Sequence, residues 1–136
     1  MISTAIVHAV AGIICRHNKL LIAQRPEGKP YSGYWEFPGG KIEANETGLA
    51  AIKRELHEEL GIDVMQAECI LEHQHTYPDK IVFLQIFHIT HFTGVPHGKE
   101  NQLLQWTTLA ELPSFPLLQG NYALLERLSD TINKLA

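Results

Sequence analysis

The sequence lacks several features that define whole classes of protein. It contains only two cysteines, Cys15 and Cys69, with no CxxC pair and no internal repeat. Two cysteines define neither a disulfide framework nor a structural zinc site. Without a run of roughly 18 apolar residues or a basic leader, there is no membrane span or signal peptide to predict. We therefore expect two reduced thiols in the core of a cytoplasmic protein.

Basic residues are also scarce. Lys and Arg together number 11 against 15 Asp and Glu, which gives a formal net charge of −4. This balance argues against a nucleic-acid polymer or an anionic membrane as the partner. A small polyanion remains compatible with it, because a metal ion can supply positive charge. The 45% of apolar residues suffices for a core, and we assign residues 1–136 to a single domain.

Apolar runs predict the strands. Two strands form a hairpin closed by the turn RHNK, two more surround the turn TYPDK, and a short one follows: residues 5–15, 20–24, 65–75, 80–91 and 103–107. The strand at 80–91 is nearly all apolar, which is typical of a central strand buried on both faces. We expect the ring of Phe83 in that strand to fill the core.

Two helices are predicted, at 47–60 and 121–135. In the first, Thr47 suits the N-cap and Gly61 follows where a left-handed residue is favoured. Its apolar residues recur every three or four positions: Leu49, Ile52, Leu56 and Leu60. Strands on both sides of one helix, with a second helix closing the chain, indicate an α/β fold in which helices cover both sides of a mixed sheet.

The first helix carries three carboxylates on one face, those of Glu55, Glu58 and Glu59. At this spacing like charges repel by roughly 0.2–0.5 kcal/mol per pair. A Glu-rich helix face is commonly just solvated surface. A rigid group of carboxylates also suits Mg²⁺, which takes oxygen ligands and shares itself between carboxylates and substrate phosphates.

These glutamates belong to a longer pattern that resembles the Nudix box, GX5EX7REUXEEXGU with U aliphatic. Every fixed position is matched: Gly40, Glu46, Arg54, Glu55, Leu56, Glu58, Glu59, Gly61 and Ile62. The resemblance implies a Nudix-type α/β/α sandwich and hydrolysis of a nucleoside diphosphate linked to another group. It implies attack of water on phosphorus assisted by Mg²⁺, for which Mn²⁺ can substitute.

The resemblance also implies roles for individual residues. Glu55, Glu58 and Glu59 become metal ligands, joined by the Gly39 carbonyl. Arg54 fixes the orientation of one glutamate through a charge-assisted hydrogen bond, and Glu46 supports the metals or the water. Two candidates remain open for the general base, Glu55 and Glu100.

Outside the box, the sequence from Ile6 to about Leu128 is similar to the MutT-like branch of the family. The similarity rests on WEFPGGKIE at 35–43, YPDK at 77–80, GKE at 98–100 and FP…N at 115–121. That branch converts oxidised purine nucleoside triphosphates such as 8-oxo-dGTP to the monophosphate and pyrophosphate, which cleans the nucleotide pool for DNA replication and repair.

The MutT-like branch implies further site residues. Glu100 of the GKE loop becomes an additional metal ligand. Contacts to the nucleotide are implied for a set that spans three segments: Arg25, Phe37, Gly39, Gly40, Lys41 and Asn121. The stretch LLQG before Asn121 is longer than in that branch, so Gln119 is the alternative residue for reading the base.

Two other functions are considered. One is a CTP-type pyrophosphohydrolase of the same family, whose LLAQRP…WEFPGGK region is similar to residues 20–41. The other is a nucleotide-sensing module without catalysis, which is disfavoured because all box glutamates are present and the chain has no room for a DNA-binding domain. For the enzyme we expect a small-molecule nucleoside triphosphate as substrate and a monomer, with a dimer as the alternative.

Overall fold

The computed structural model describes residues 5–117 and 119–135, with side chains at 5–117 and 124–132. The elements in this part of the chain are β1 (Ala5–Ile13), β2 (Cys15–Arg16), β3 (Lys19–Gln24), β4 (Trp35–Glu36), β5 (Gly39–Lys41), α1 (Gly48–Leu60), β6 (Asp63–Thr76), β7 (Lys80–Thr93), β8 (Leu104–Thr107), a 3-10 turn (Leu112–Ser114) and α2 (Gln119–Leu135). Among the helices so described, none has the length and hydropathy needed to cross a bilayer.

The first sheet is mixed and has the strand order β5-β1-β7-β6. β1 runs parallel to β7 from the pair Ala5 and Lys80 to the pair Ile13 and His88, and the other two pairings are antiparallel. β6 and β7 surround the predicted turn, which is closed by a hydrogen bond from the Tyr77 N–H to the Lys80 carbonyl. β7 therefore has a neighbouring strand on each side, as its apolar sequence predicts.

Burial along β7 is uneven. Ile86, Phe87 and Ile89 are buried, whereas Phe83 is 37% exposed. The expectation that Phe83 fills the core is wrong because α1 begins over Gln85, where Gly48 lies against its side chain, and so does not cover Phe83. The first half of β7 therefore borders open grooves on both faces of the sheet.

A second, smaller sheet contains β2, β3 and β4, with β8 paired to the other edge of β3. The predicted hairpin is correct only for its last residues, since β1 ends at Ile13 and pairs with β5 and β7 instead. Only Cys15–Arg16 pairs with β3, across a turn in which His17 and Asn18 both have positive φ. Two such residues make a tight turn that closes a two-stranded hairpin, so the apolar run divides between two sheets.

α1 has both predicted ends. The Thr47 hydroxyl accepts a hydrogen bond from the Ala50 N–H at 3.1 Å, and Gly61 has φ of 70° after the last helical residue. One member of the predicted core stripe is wrong: Leu49 is 41% exposed, and Ala51 takes its place in the core beside Ile52. In the first turn of α1, the residue that packs on the sheet is therefore Ala51, two positions after the predicted Leu49.

The two α-helices cover opposite faces of the first sheet. Neighbouring residues of β1 divide between two cores: Val10 packs with Leu56 of α1, and Ala11 packs with Leu128 of α2. This is the alternation expected of a strand between two layers. The predicted α/β/α arrangement around a mixed sheet is confirmed.

The cysteines correct another expectation. Cys15 and Cys69 are free, as predicted, but both are exposed and neither belongs to the core. Cys15 lies in the two-residue β2 and Cys69 in β6, one of the two edge strands of the first sheet. In such strands the apolar neighbours take the inward positions and leave the thiols outside.

Candidate active site

A cleft of about 390 Å³ lies on the α2 side of the first sheet, where β5 meets β1. Its floor includes Ala9 and Leu84, which are register partners on β1 and β7. Glu55 and Glu59 extend from α1 to its rim, and Glu100 approaches from the loop before β8. The cleft thus combines an apolar floor with three of the predicted carboxylates.

Arg54 organises the acidic side of the site. It binds Glu46 through two hydrogen bonds, from Nε at 2.8 Å and from Nη2 at 2.9 Å, and donates from Nη1 to Glu55 at 2.8 Å. It also donates to the Lys41 carbonyl at 3.0 Å, which ties α1 to β5. The Arg54 hydrogen bonds, helped by the Glu43 N–H, lower the pKa of Glu46 to about 2. Glu46 is thereby held by Arg54 and does not line the cleft.

Packing explains why position 40 of the box is a glycine. A Cβ atom on Gly40 would overlap the carboxylate of Glu55. Glycine is therefore required here so that Glu55 can lie over β5 and still reach Arg54. Burial raises the pKa of Glu55, while Arg54 opposes that change and the nearby charges of Glu58 and Glu100 add to it.

Glu59 is the most strongly perturbed carboxyl group of the site. Burial, together with the charges of Glu55, Glu36 and Glu100, raises the pKa of Glu59 to about 9, against the effect of a 3.1 Å hydrogen bond from the Gly39 N–H. A carboxyl group with such a raised pKa indicates that the surrounding negative charges lack a compensating positive charge at this point of the site.

The oxygen atoms of these carboxylates fit a hard divalent cation, because they lie in a partly buried cleft that carries negative charge. Their arrangement is not a finished cage: within the described residues, no three His, Cys, Asp or Glu side chains are gathered closely enough to hold an ion. Glu58 shows why, since its side chain is 55% exposed and lies 3.4 Å from Arg54. Coordination would require the side chains to turn together.

Two hydrogen bonds through Gln102, a residue outside the sequence motif, position Glu100. Its N–H donates to the Gln102 side chain at 2.8 Å, and Gln102 in turn donates to the Glu59 carbonyl at 3.0 Å. The Lys99 N–H donates to the same carbonyl at 3.1 Å. The GKE loop is therefore fastened to the end of α1 that carries the acidic residues, although some 40 residues separate them.

Five of the residues predicted to contact the nucleotide line the same cleft: Arg25, Phe37, Gly39, Gly40 and Lys41. Phe37 is 5% exposed and Lys41 ends β5. Arg25 also lines the cleft, but its Nη1 is paired with Glu36 at 3.1 Å and its Nε donates to the Pro30 carbonyl at 2.7 Å. Arg25 therefore holds the loop after β3.

Asn121 and Gln119 lie in the first turn of α2, and their side chains fall outside the described residues. Which of the two reads the base therefore stays a prediction.

Sequence reasoning missed Glu36. It lies in the cleft between two aromatic residues of the WEF stretch, and burial raises the pKa of Glu36 while Arg25 opposes the change. A carboxylate flanked by Trp35 and Phe37 was the available signal, because an acidic residue in an apolar segment is rarely buried without a partner.

The chain is similar to known proteins along most of its length. A family model described as a NUDIX domain matches residues 9–127. The CTP pyrophosphohydrolase of Escherichia coli K12 is 39% identical over 120 residues, which are 88% of this chain and 89% of that protein. The 8-oxo-dGTP diphosphatase of Haemophilus influenzae is 36% identical over 124 residues, with 90% and 91% covered.

Solved structures agree with these relatives. The solution structure of the E. coli ORF135 protein has a TM-score of 0.79 at 38% identity and covers 90% of this chain and 88% of its own. A MutT structure from a comparison of the Aliivibrio salmonicida and Vibrio cholerae proteins has a TM-score of 0.77 at 32% identity, covering 93% and 98%. With a family match across most of its sequence and relatives that align over nearly their whole length, this chain belongs to the Nudix family and is a Nudix pyrophosphohydrolase, in a family that acts on small nucleotides and generally uses divalent metal ions.

Proposed function

We propose that the chain converts 8-oxo-dGTP and related oxidised purine nucleoside triphosphates to the monophosphate and pyrophosphate, with Mg²⁺ as its preferred ion. The observation that carries this proposal is the combination of the acidic rim, held by Arg54, with the apolar wall at Phe37 in one cleft. The relatives named 8-oxo-dGTP diphosphatase support the choice of base. We further propose that residues 1–136 act as one domain in the cytoplasm.

The ligands proposed for the ion are all oxygens: Glu55, Glu58, Glu59, Glu100 and the Gly39 carbonyl. When bound, Mg²⁺ supplies positive charge to the triphosphate and lowers the pKa of its water. The Gly39 N–H already holds Glu59 at the edge of β5, at 3.1 Å. The protein therefore contributes a rigid edge against which the carboxylates are aligned.

Arg54 gives Glu55 a fixed direction. Its 2.8 Å hydrogen bond engages Oε1 of Glu55, a residue that lines the cleft. A carboxylate held in this way is suited to accept the proton of an attacking water, and Glu100 is the alternative acceptor. We expect Glu55→Gln or Glu100→Gln to lower kcat by about 10²–10⁴-fold, with the larger loss identifying the base.

On the substrate side, Lys41 faces the same cleft and can bind phosphate oxygens. Phe37 offers an apolar wall to a purine ring, and an amide from α2, that of Asn121 or else Gln119, reads the edge of the base. An amide both donates and accepts, so the wrong base leaves buried groups unpaired.

The experiment that tests this proposal is a ranking of nucleoside triphosphates by kcat/KM with Mg²⁺ and with Mn²⁺. We expect 8-oxo-dGTP to exceed dGTP, CTP and dCTP, and Asn121→Ala to reduce that preference. A ranking in which 8-oxo-dGTP has no advantage over dGTP contradicts the choice of base. Absence of turnover for every nucleotide would favour the sensing module.

A second candidate is a CTP-type pyrophosphohydrolase. It is favoured by the E. coli CTP pyrophosphohydrolase, whose 39% identity over 120 residues exceeds the 36% of the H. influenzae 8-oxo-dGTP diphosphatase over a similar length. The same panel separates the two, because cytidine nucleotides would then rank first.

A further inference from the structure

A second hollow lies on the other face of the first sheet. This groove has a volume of about 620 Å³ and is bordered by three strands and the loop before α1; the residues used below are His8, Glu46, Glu72, Phe83 and Gln85. Residues 83 and 85 of β7 alternate with Val82, which lines only the cleft, and with Leu84, which borders both hollows. Because neighbouring residues of a strand point to opposite faces, the sheet separates the groove from the cleft.

The groove is bordered by a pair of stacked aromatic rings. The rings of His8 and Phe83 stack with centroids 5.4 Å apart and an angle of 16° between their planes. Both side chains are exposed. Each ring covers one face of the other, so the side of Phe83 that is turned away from His8 is left for a further planar ring or for a cation.

The polar groups of the groove call for a ligand that donates hydrogen bonds. The Oε1 atom of Gln85 is buried and has no hydrogen-bond partner among the described residues. The carboxylates of Glu46 and Glu72 stand on the walls, and in the described structure no Lys or Arg lines the groove. Anions are therefore disfavoured here, whereas a donor with positive charge would find acceptors at Glu46 and Glu72 and, once its amide rotates, at Gln85.

We propose that this groove is a second ligand site, which takes a small planar cation with N–H donors such as an aromatic or heteroaromatic amidine or guanidine. Its ring would pack against Phe83 at the exposed side of the His8–Phe83 stack, and its N–H groups would reach Glu46 and, after rotation of the amide, Gln85.

Occupancy of the groove is coupled to the cleft through Glu46. The same carboxylate that borders the groove accepts both hydrogen bonds from Arg54, and Arg54 orients Glu55. A cation that donates to Glu46 competes with Arg54 for its oxygens and so loosens Glu55. The ligand therefore lowers kcat and leaves KM nearly unchanged, because no residue that contacts the nucleotide is displaced.

The test uses benzamidine as the cationic probe, with benzamide and benzoate as neutral and anionic compounds of the same shape. Titration of the ¹⁵N-labelled protein should shift the amide signals of His8, Phe83 and Gln85 with benzamidine, and far less with the other two. Phe83→Ala removes half of the stacking surface and should abolish the shifts, whereas Val95→Ala, an exposed apolar residue outside the groove, should keep them.

Kinetics tests the coupling separately from binding. Benzamidine at saturation should lower kcat severalfold, within the roughly 10²-fold that a displaced reacting group can cost, and the Phe83→Ala enzyme should not respond. Equal shifts with all three compounds, or none, overturn the site. Inhibition that persists in Phe83→Ala, or binding without any change in kcat, overturns the coupling.

Discussion

At the scale of single residues, the site depends on what glycine allows. The nine box positions could be predicted from the sequence alone, but the motif does not say why Gly40 is a glycine. The structure supplies the reason: the Glu55 carboxylate occupies the space that a Cβ atom would need. The glycine at position 40, on β5, therefore determines where the side chain of Glu55 on α1 can lie.

Gly40→Ala tests this reading. The added methyl group pushes Glu55 away from Arg54, and a displacement of about 1 Å at a reacting group can cost 10²-fold in rate. We expect kcat to fall by about that factor while the thermal midpoint and near-UV circular dichroism stay close to those of the wild type. Wild-type activity in Gly40→Ala would show that the position of Glu55 is not critical.

Arg54→Lys tests the network around Glu46. A lysine ammonium cannot reproduce the planar fork that binds Glu46 at two atoms and Glu55 at a third. We expect a fall in kcat of about 10²-fold, from the loss of geometry rather than of charge. Lys53→Ala, a change at the neighbouring exposed position, is the control and should leave the rate constant unaffected.

Residues that the motif omits could not be found from it, because they act across long stretches of sequence. Gln102 holds the Glu100 loop against the end of α1 through hydrogen bonds, and Glu36 pairs with Arg25 beside the cleft. A hydrogen bond between distant segments depends on the path of the chain, which the motif does not contain.

At the scale of elements, local chemistry decided which predictions were correct. The ends of α1 were predictable because the Thr47 cap and Gly61 act within their own turn. The first hairpin was not, because the apolar run through Ile14 continues from one sheet into the other. Apolar periodicity shows that a strand is buried and leaves open which strand it pairs with.

Thr47→Ala measures the contribution of the cap. Loss of the hydroxyl that accepts from the Ala50 N–H leaves a helix N–H without a partner and should lower the free energy of unfolding by about 1 kcal/mol. Chemical denaturation of the variant and of Thr47→Ser, which keeps the acceptor, gives the comparison. Equal stability of Thr47→Ala and the wild type would contradict a stabilising cap.

At the scale of the whole molecule, one sheet supports two hollows and two helices. Its α2 face bears the cleft and its α1 face the groove, with α1 supplying Glu55 and Glu59 to the first hollow at the β5 edge. The layered arrangement was predictable because the helix at 47–60 lies between predicted strands. The small second sheet was not, because two of its strands have only two residues each.

The contact between α2 and β6 makes the stability of the whole fold depend on pH. Burial lowers the pKa of His73, and the charges of Arg127 and His75 lower it further. Arg127 Nη1 approaches His73 Nδ1 at 3.0 Å, an arrangement that requires a neutral ring, and also donates to the Glu72 carbonyl. Protonation of His73 would therefore separate the helix from the edge strand.

The sign of the effect follows from where protons bind. Below pH about 6.5, the usual pKa of histidine, the unfolded chain binds a proton at His73 that the folded chain excludes, so the free energy of unfolding falls as the pH is lowered. One such group changes it by at most about 1.4 kcal/mol per pH unit. Urea unfolding at pH 7.5 and 5.5 should show a smaller loss for His73→Gln than for the wild type, because glutamine does not titrate. An equal loss in both proteins would mean that the pH dependence arises at other groups.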